Sequence, residues 1–194
     1  MRILDIVLPA EPGSATRRFF VASALWLAAG VTFGFLGALE MLAPDLLPHW
    51  AELSFGRVRP THINLVVFGF LLNAYFGGLL HVVPTVCRTE LYAERFANFG
   101  VWFYNLVVAG MLFTLPHGIT QGREYAEAAW ILDIGVLISL AALAIIVFGT
   151  IARRKEQLLY VSVWYIAAGL LWSFFVYAVG NVVWAGPIGS WQGI

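Results

Sequence analysis

Charge is what this chain most lacks. Only 11% of its 194 residues are Asp, Glu, Lys or Arg, and 61% are hydrophobic; a soluble domain carries about a quarter charged residues. That composition excludes a water-soluble globule and points to a protein that lives in a lipid bilayer. The charges present cancel, 11 basic against 11 acidic, so there is no basic excess to recruit nucleic acid. A single cysteine, Cys87, excludes an intrachain disulfide framework. Its simplest role is that of a small buried apolar residue. Histidine is scarce too: His49, His62, His81 and His117 show no His-x-x-His or Cys-rich spacing for a metal cluster. Residues 1–13 are short, broken by Pro9 and Pro12, and carry Asp5 and Glu11, so they do not read as a cleaved signal peptide.

What is present is long apolar runs. A membrane-crossing helix needs roughly 20 mainly apolar residues, and about five runs reach that length: 19–43, 62–86, 96–115, 130–152 and 158–184. The expectation is an all-α integral membrane protein with one membrane domain over residues 1–194. Pro44 and Pro48 stop the first helix, Pro60 suits the first turn of the second, and Pro84 closes or kinks its last turn. Pro116 and Gly118 end the third helix, and a Gly-Pro-Ile-Gly stretch at 186–189 ends the fifth. Arg17, Arg18, Arg88, Arg95, Arg153, Arg154 and Lys155 fall on one side of a five-span topology. The positive-inside rule makes that side, and the amino terminus, cytoplasmic.

Ser54, Phe55, Gly56, Arg57, Val58, Arg59, Pro60, Thr61, His62, Ile63 and Asn64 then lie at the opposite, outer surface. A histidine inside a membrane helix is costly unless paired or liganded. Two arginines beside it suit a partner bearing negative charge. A haem meets both demands, with iron on the imidazole of His62 and propionates on Arg57 and Arg59. On an ideal helix Val66, Gly69 and Asn73 share the face of His62. Gly69 therefore either leaves room for a flat macrocycle or marks a close helix–helix contact. His81 lies roughly 28 Å further along the axis and cannot share the iron of His62. It reads as interfacial, while His49 and His117 read as solvated.

A second polar group sits in the loop between the third and fourth runs. Glu124 and Glu127 share one face of a helical turn. They can bind a hard cation such as calcium through oxygen ligands, or form a solvated loop with Arg123. Asp133 begins the fourth run, where it can cap the helix or meet its dipole. Asn181, deep in the fifth, needs a hydrogen-bond partner on another helix.

Taken in order, these motifs resemble the catalytic subunit (subunit I) of haem–copper oxygen reductases of the C family, the cbb(3)-type cytochrome c oxidases. The likeness runs through Ser54 to Arg57, Arg59-Pro60, His62-x-Asn64, Asn73-Ala74, Val82-Val83 and Thr85-Val86-Cys87. It continues through Thr114-Leu115-Pro116, Arg123 to Glu127, Trp130, Asp133, Phe148 to Ile151, Arg154-Lys155, Tyr160-Val161 and Trp164. The resemblance implies the amino-terminal portion of a twelve-helix subunit in a bacterial inner membrane. It implies His62 as an axial ligand of low-spin haem b, Arg57 near the propionates, Glu124 at a calcium site, and Glu127 as its neighbour. Further implied partners are the lipid bilayer, c-type cytochrome subunits, and the rest of the catalytic subunit or a second chain supplying it. The high-spin haem and copper would belong to the complete enzyme, since their ligands lie beyond the equivalent of Ile194. The chain's last residues look like an interrupted outer loop. The complete enzyme would pass electrons from cytochrome c to oxygen with proton pumping. The sister nitric oxide reductases share parts of the pattern, and a scaffold that binds no haem alone remains a third expectation.

Overall fold

The computed structural model describes residues 3–45, 50–123 and 126–183. Five helices among them are long and apolar enough to cross a membrane: Ser14–Leu42, Phe55–Val86, Glu94–Thr114, Trp130–Ala152 and Val161–Val183. They are spans one to five below. The all-helical class and the number of spans agree with the apolar runs. Part of the fifth run, including Trp184, lies outside the described residues, as does His49.

The second span starts at Phe55 rather than at His62, where the apolar run begins. Ser54 precedes it in extended conformation, and its carbonyl accepts the N–H groups of Arg57 (2.8 Å) and Val58 (2.9 Å). Pro60 is therefore inside the helix and not in its first turn. Thr61 Oγ1 donates to the Arg57 carbonyl at 2.7 Å, and Asn64 Nδ2 to that of Pro60 at 2.8 Å. These side chains donate to their own helix's carbonyls one turn back at the membrane surface. Hydropathy is blind to a helical turn of that kind.

Spans one and two form a closely apposed antiparallel pair. Val58 lies against Gly37, His62 against Gly34, Val66 against Gly30, and Trp26 against Gly69. Glycines at these positions let two backbones approach where no aqueous hydrophobic effect drives association. Further along, Phe19 meets Phe76 edge-on at 5.5 Å between ring centroids. Tyr104, Phe76, Met111, Val136 and Val147 fill the middle of the bundle between spans two, three and four. Spans one and five keep most of their surface exposed.

Midway, the second span changes its winding. Leu65–Leu71 is π-helical, a form with i→i+5 bonds that is rare and usually short. Three successive carbonyls of this segment receive side-chain donors. The Tyr104 hydroxyl donates to Phe68 (2.6 Å), Asn73 Nδ2 to Gly69 (2.6 Å) and Ser23 Oγ to Phe70 (3.1 Å). Asn105 Nδ2 donates to Asn73 Oδ1 at 3.1 Å, and Trp26 Nε1 to Asn105 Oδ1 at 2.6 Å. In hydrocarbon a carbonyl without a partner costs on the order of several kcal/mol, so donors from spans one and three are what make the irregular turn tolerable.

Arg57, Arg59 and Arg123 lie at one end of the bundle, and Arg17, Arg18, Arg88, Arg95, Arg153, Arg154 and Lys155 gather at the other, as the alternation of spans requires. There the Glu94 carboxylate accepts Ser14 Oγ (3.1 Å) and the Ala15 N–H (2.9 Å), capping span one from span three. Arg95 pairs with Asp5 at 3.1 Å and Arg88 with Glu156 at 3.2 Å. The Arg153 guanidinium sits 4.4 Å above the centre of the Tyr92 ring. Cys87 is buried beside these contacts, and its carbonyl accepts the Lys155 N–H at 3.0 Å. Burial pushes the Cys87 thiol up from its ordinary range, with Arg154 pulling weakly the other way.

Candidate functional site

At the opposite end, His62 sits half-buried on the second span. Its Nδ1 lies 2.7 Å from the Gly30 carbonyl of span one. A carbonyl can only accept, so that contact fixes the tautomer with hydrogen on Nδ1. Nε2 is then the lone-pair nitrogen, and it makes no hydrogen bond among the described residues. Metal-bound histidines show this arrangement, one ring nitrogen donating to a carbonyl and the other left for the metal. The ring lies so close to Gly34 that an added Cβ would come within 2.7 Å of Cε1 and Nδ1. Gly34 therefore cradles the imidazole.

Arg57 stands five residues earlier, roughly 7.5 Å up the helix axis. Its Nη1 donates to the Pro116 carbonyl at 3.0 Å. Its guanidinium covers Gly118, where a Cβ would meet Cζ at 3.2 Å. Gly118 also has φ near +80, so the turn ending span three needs glycine on both counts. The turn holds Arg57 half-buried. Arg59 is exposed at the same end. Gly69, in contrast, faces Trp26, whose Cβ and Cγ would lie 2.8 and 3.0 Å from an added Cβ. Of its two readings, the close helix contact is the one that occupies the space.

Glu127 is only 4% exposed. Asn64 Nδ2 donates to its Oε2 at 3.1 Å, while Asn64 Oδ1 is buried and without a partner among the described residues. Two oxygen-bearing side chains thus meet two residues beyond His62. Glu124 lies outside the described residues. The loop carrying Glu127 is tied down on itself: its carbonyl accepts Thr120 Oγ1 (2.7 Å) and the Gln121 N–H (3.1 Å). Gln121 Nε2 bridges the Ala128 carbonyl (2.7 Å) and Asp133 Oδ2 (2.9 Å), and the Tyr177 hydroxyl donates to Asp133 Oδ1 at 2.7 Å. Asp133 lies in the first turn of span four, but Ala129 holds the cap position and the aspartate is a tie between the loop and span five. Among the described residues no group of three or more His, Cys, Asp or Glu could hold a metal ion by itself.

The remaining histidines stay apart. His81 is exposed near the basic end, and His117 is exposed, stacked on Phe113 with Nδ1 2.7 Å from its carbonyl. Asn181 Oδ1 is buried without a partner among the described residues, so the expected bond to another helix is not seen among them. Sequence reasoning missed Gly30, Gly34 and Asn64. The spacing of Gly30, Gly34 and Gly37 along one face of span one was the available signal.

Comparison with known proteins gives the chain's family. The sequence profile described as cytochrome c and quinol oxidase polypeptide I matches residues 14–190. The cbb3-type cytochrome c oxidase subunit CcoN1 of Stutzerimonas stutzeri is 35% identical over 166 residues, covering 86% of this chain and 35% of the relative. A cytochrome c oxidase subunit 1 homolog of Agrobacterium tumefaciens is 34% identical over 164 residues, 84% of this chain and 30% of the relative. Cytochrome c oxidase subunit 1 of Rhodobacter capsulatus is 30% identical over 165 residues, 84% of this chain and 31% of the relative. The chain spans about a third of the length of these relatives. With its profile match running from the first span to beyond the fifth, this multi-pass membrane chain belongs to the cytochrome c and quinol oxidase polypeptide I family.

Proposed function

We propose that the chain is the haem b-binding amino-terminal part of a cbb(3)-type oxidase catalytic subunit. The observation that carries this reading is His62: half-buried, oriented by the Gly30 carbonyl, with Nε2 uncommitted among the described residues. The donor set fits a haem. A neutral imidazole is an ordinary axial ligand, and guanidinium groups on the same helix match propionates. A low-spin haem held there supplies a one-electron carrier. Gly30 keeps the His62 imidazole in the ligating tautomer, Gly34 fixes its plane, and Arg57, braced by Pro116, neutralises acid groups, with Arg59 beside it.

The complete enzyme would reduce oxygen with electrons from cytochrome c and pump protons, and a haem held by His62 would supply one-electron chemistry to it. The residues that would hold the high-spin haem and copper, and any further haem b ligand, are assigned to the rest of the subunit or to a second chain, with c-type cytochrome subunits alongside. The location proposed is a bacterial inner membrane with a cytoplasmic amino terminus, on the strength of the basic end. The test is electron paramagnetic resonance on the oxidised intact complex carrying 15N-histidine. A low-spin ferric signal with histidine nitrogen coupling is expected; a low-spin signal without it would overturn the assignment.

Calcium is proposed beside the same site, with Glu124 and Glu127 as oxygen donors. Glu127 and the unpartnered Asn64 Oδ1 supply the hard-cation chemistry. Glu127→Gln keeps the bond from Asn64 and removes the charge. Metal analysis of the purified complex should then show calcium content falling by about tenfold or more. Unchanged content would remove Glu127 from the site.

A further inference from the structure

We propose that the π-helical segment Leu65–Leu71 is a rotational latch for His62, with Tyr104 and Ser23 as positioning residues that hold it wound. The proposal rests on the haem reading of His62 and adds to it what sets the direction of the imidazole. In the second span, His62 and the deeper half of the helix are separated only by this segment. A π turn takes up about one extra residue compared with α-helix. Rewinding it as α would turn the His62 half by roughly 100° against the deeper half and shift it by about 1.5 Å.

The deeper half cannot follow. Asn73 is buried and held by Asn105, Phe76 meets Phe19, and a Cβ at Gly77 would be 3.2 Å from Phe19 Cβ and 3.3 Å from the Thr16 carbonyl. The whole rotation would therefore fall on the outer half. There it would pull the imidazole off the Gly30 carbonyl and out of the cradle at Gly34.

What favours the π winding is the set of donors to its carbonyls. Asn73 donates to the Gly69 carbonyl from within the same helix, so that bond ties the segment to no neighbouring span. The Tyr104 hydroxyl on span three and Ser23 Oγ on span one do tie it, because they reach Phe68 and Phe70 from fixed neighbours. Tyr104 is fully buried, its ring tilted against Phe76 at 4.8 Å between centroids. Neither side chain approaches His62 in sequence or by contact; both act on it through helix winding.

The experiment uses the intact complex and two readouts. One is disulfide formation between Gly37→Cys and Val58→Cys, which reports the facing of the outer half, since a Cβ at Gly37 lies 3.4 Å from Val58 Cγ1. The other is the paramagnetic resonance spectrum and midpoint potential of the low-spin haem. In Tyr104→Phe with Ser23→Ala, cross-linking should fall by about fivefold or more, the factor carried by one lost hydrogen bond. The low-spin signal should shift or diminish, and restoring a hydroxyl with Ser23→Thr should recover both readouts partway. Val147→Ala, a core truncation near the inner end of span four, should weaken the fold without moving either. Parental cross-linking and an unshifted signal in the double variant would overturn the latch. If His62→Ala keeps the low-spin signal, the haem reading fails instead, and cross-linking alone decides the latch.

Discussion

Gly34→Ala should abolish low-spin haem binding in the complex while leaving its thermal stability almost unchanged. The new Cβ would stand 2.7 Å from two atoms of the His62 ring, and that distance is untenable. The ring is the free end of a side chain, so it can swing away at little cost. The fold loses one hydrogen bond, worth about 1 kcal/mol. The site loses its geometry, because Nδ1 leaves the Gly30 carbonyl and Nε2 no longer points where it did. Disturbing only the orientation of a metal-bound histidine costs about 10–100-fold in affinity; moving the ring itself should exceed that. Reduced-minus-oxidised spectra and pyridine haemochrome content of the purified complex measure it. His62→Ala sets the floor, and Gly78→Ala, on the same helix with open space around it, sets the parental level. Full low-spin haem in Gly34→Ala would show that the cradle does not place the ring.

The largest stability effect is expected at Asp133, which is only 1% exposed. Its carboxylate accepts the Tyr177 hydroxyl at 2.7 Å and Gln121 Nε2 at 2.9 Å, joining span five and the outer loop to span four. Alanine there leaves both donors without their acceptor inside an apolar bundle. The penalty for two such groups is about 2–5 kcal/mol. Span five has few other ties, one being Trp130 Nε1 to the Val182 carbonyl at 3.0 Å. Asp133→Ala should therefore lower the melting temperature and open the 152–161 connection to protease, whereas Asp133→Asn, which keeps an acceptor oxygen, should fall between. A melting temperature equal to the parent's would show that the tie contributes nothing.

The spans were legible in the sequence because charge is rare and each helix is long enough to stand out in hydropathy. His62 stands out in the sequence because a lone imidazole in an apolar run carries a desolvation cost. The start of span two was not legible. Arg57, Arg59 and Thr61 are helical but polar, and an apolar-run criterion begins counting only after them. The π segment was invisible for the opposite reason. In Leu-Val-Val-Phe-Gly-Phe-Leu every position is apolar or glycine, so no periodicity records the winding. Gly69 was ambiguous because a glycine shows only that space is needed, not what fills it; Trp26 fills it. Asp133 was placed correctly at the start of span four, but its partners Tyr177 and Gln121 are remote in sequence and follow only from the packing.

The antiparallel pairing of spans one and two also sets an order of assembly. Neighbours along the chain meet with the least loop-closure entropy, so the hairpin that brings Gly30 and Gly34 to His62 can form once the second span has been made. Tyr104 comes later, on the third span. Until it arrives, the imidazole has its acceptor but the Phe68 carbonyl behind it lacks a donor. On the proposed haem reading, insertion before that moment would meet an imidazole whose heading is still adjustable; insertion afterwards would meet one already aimed.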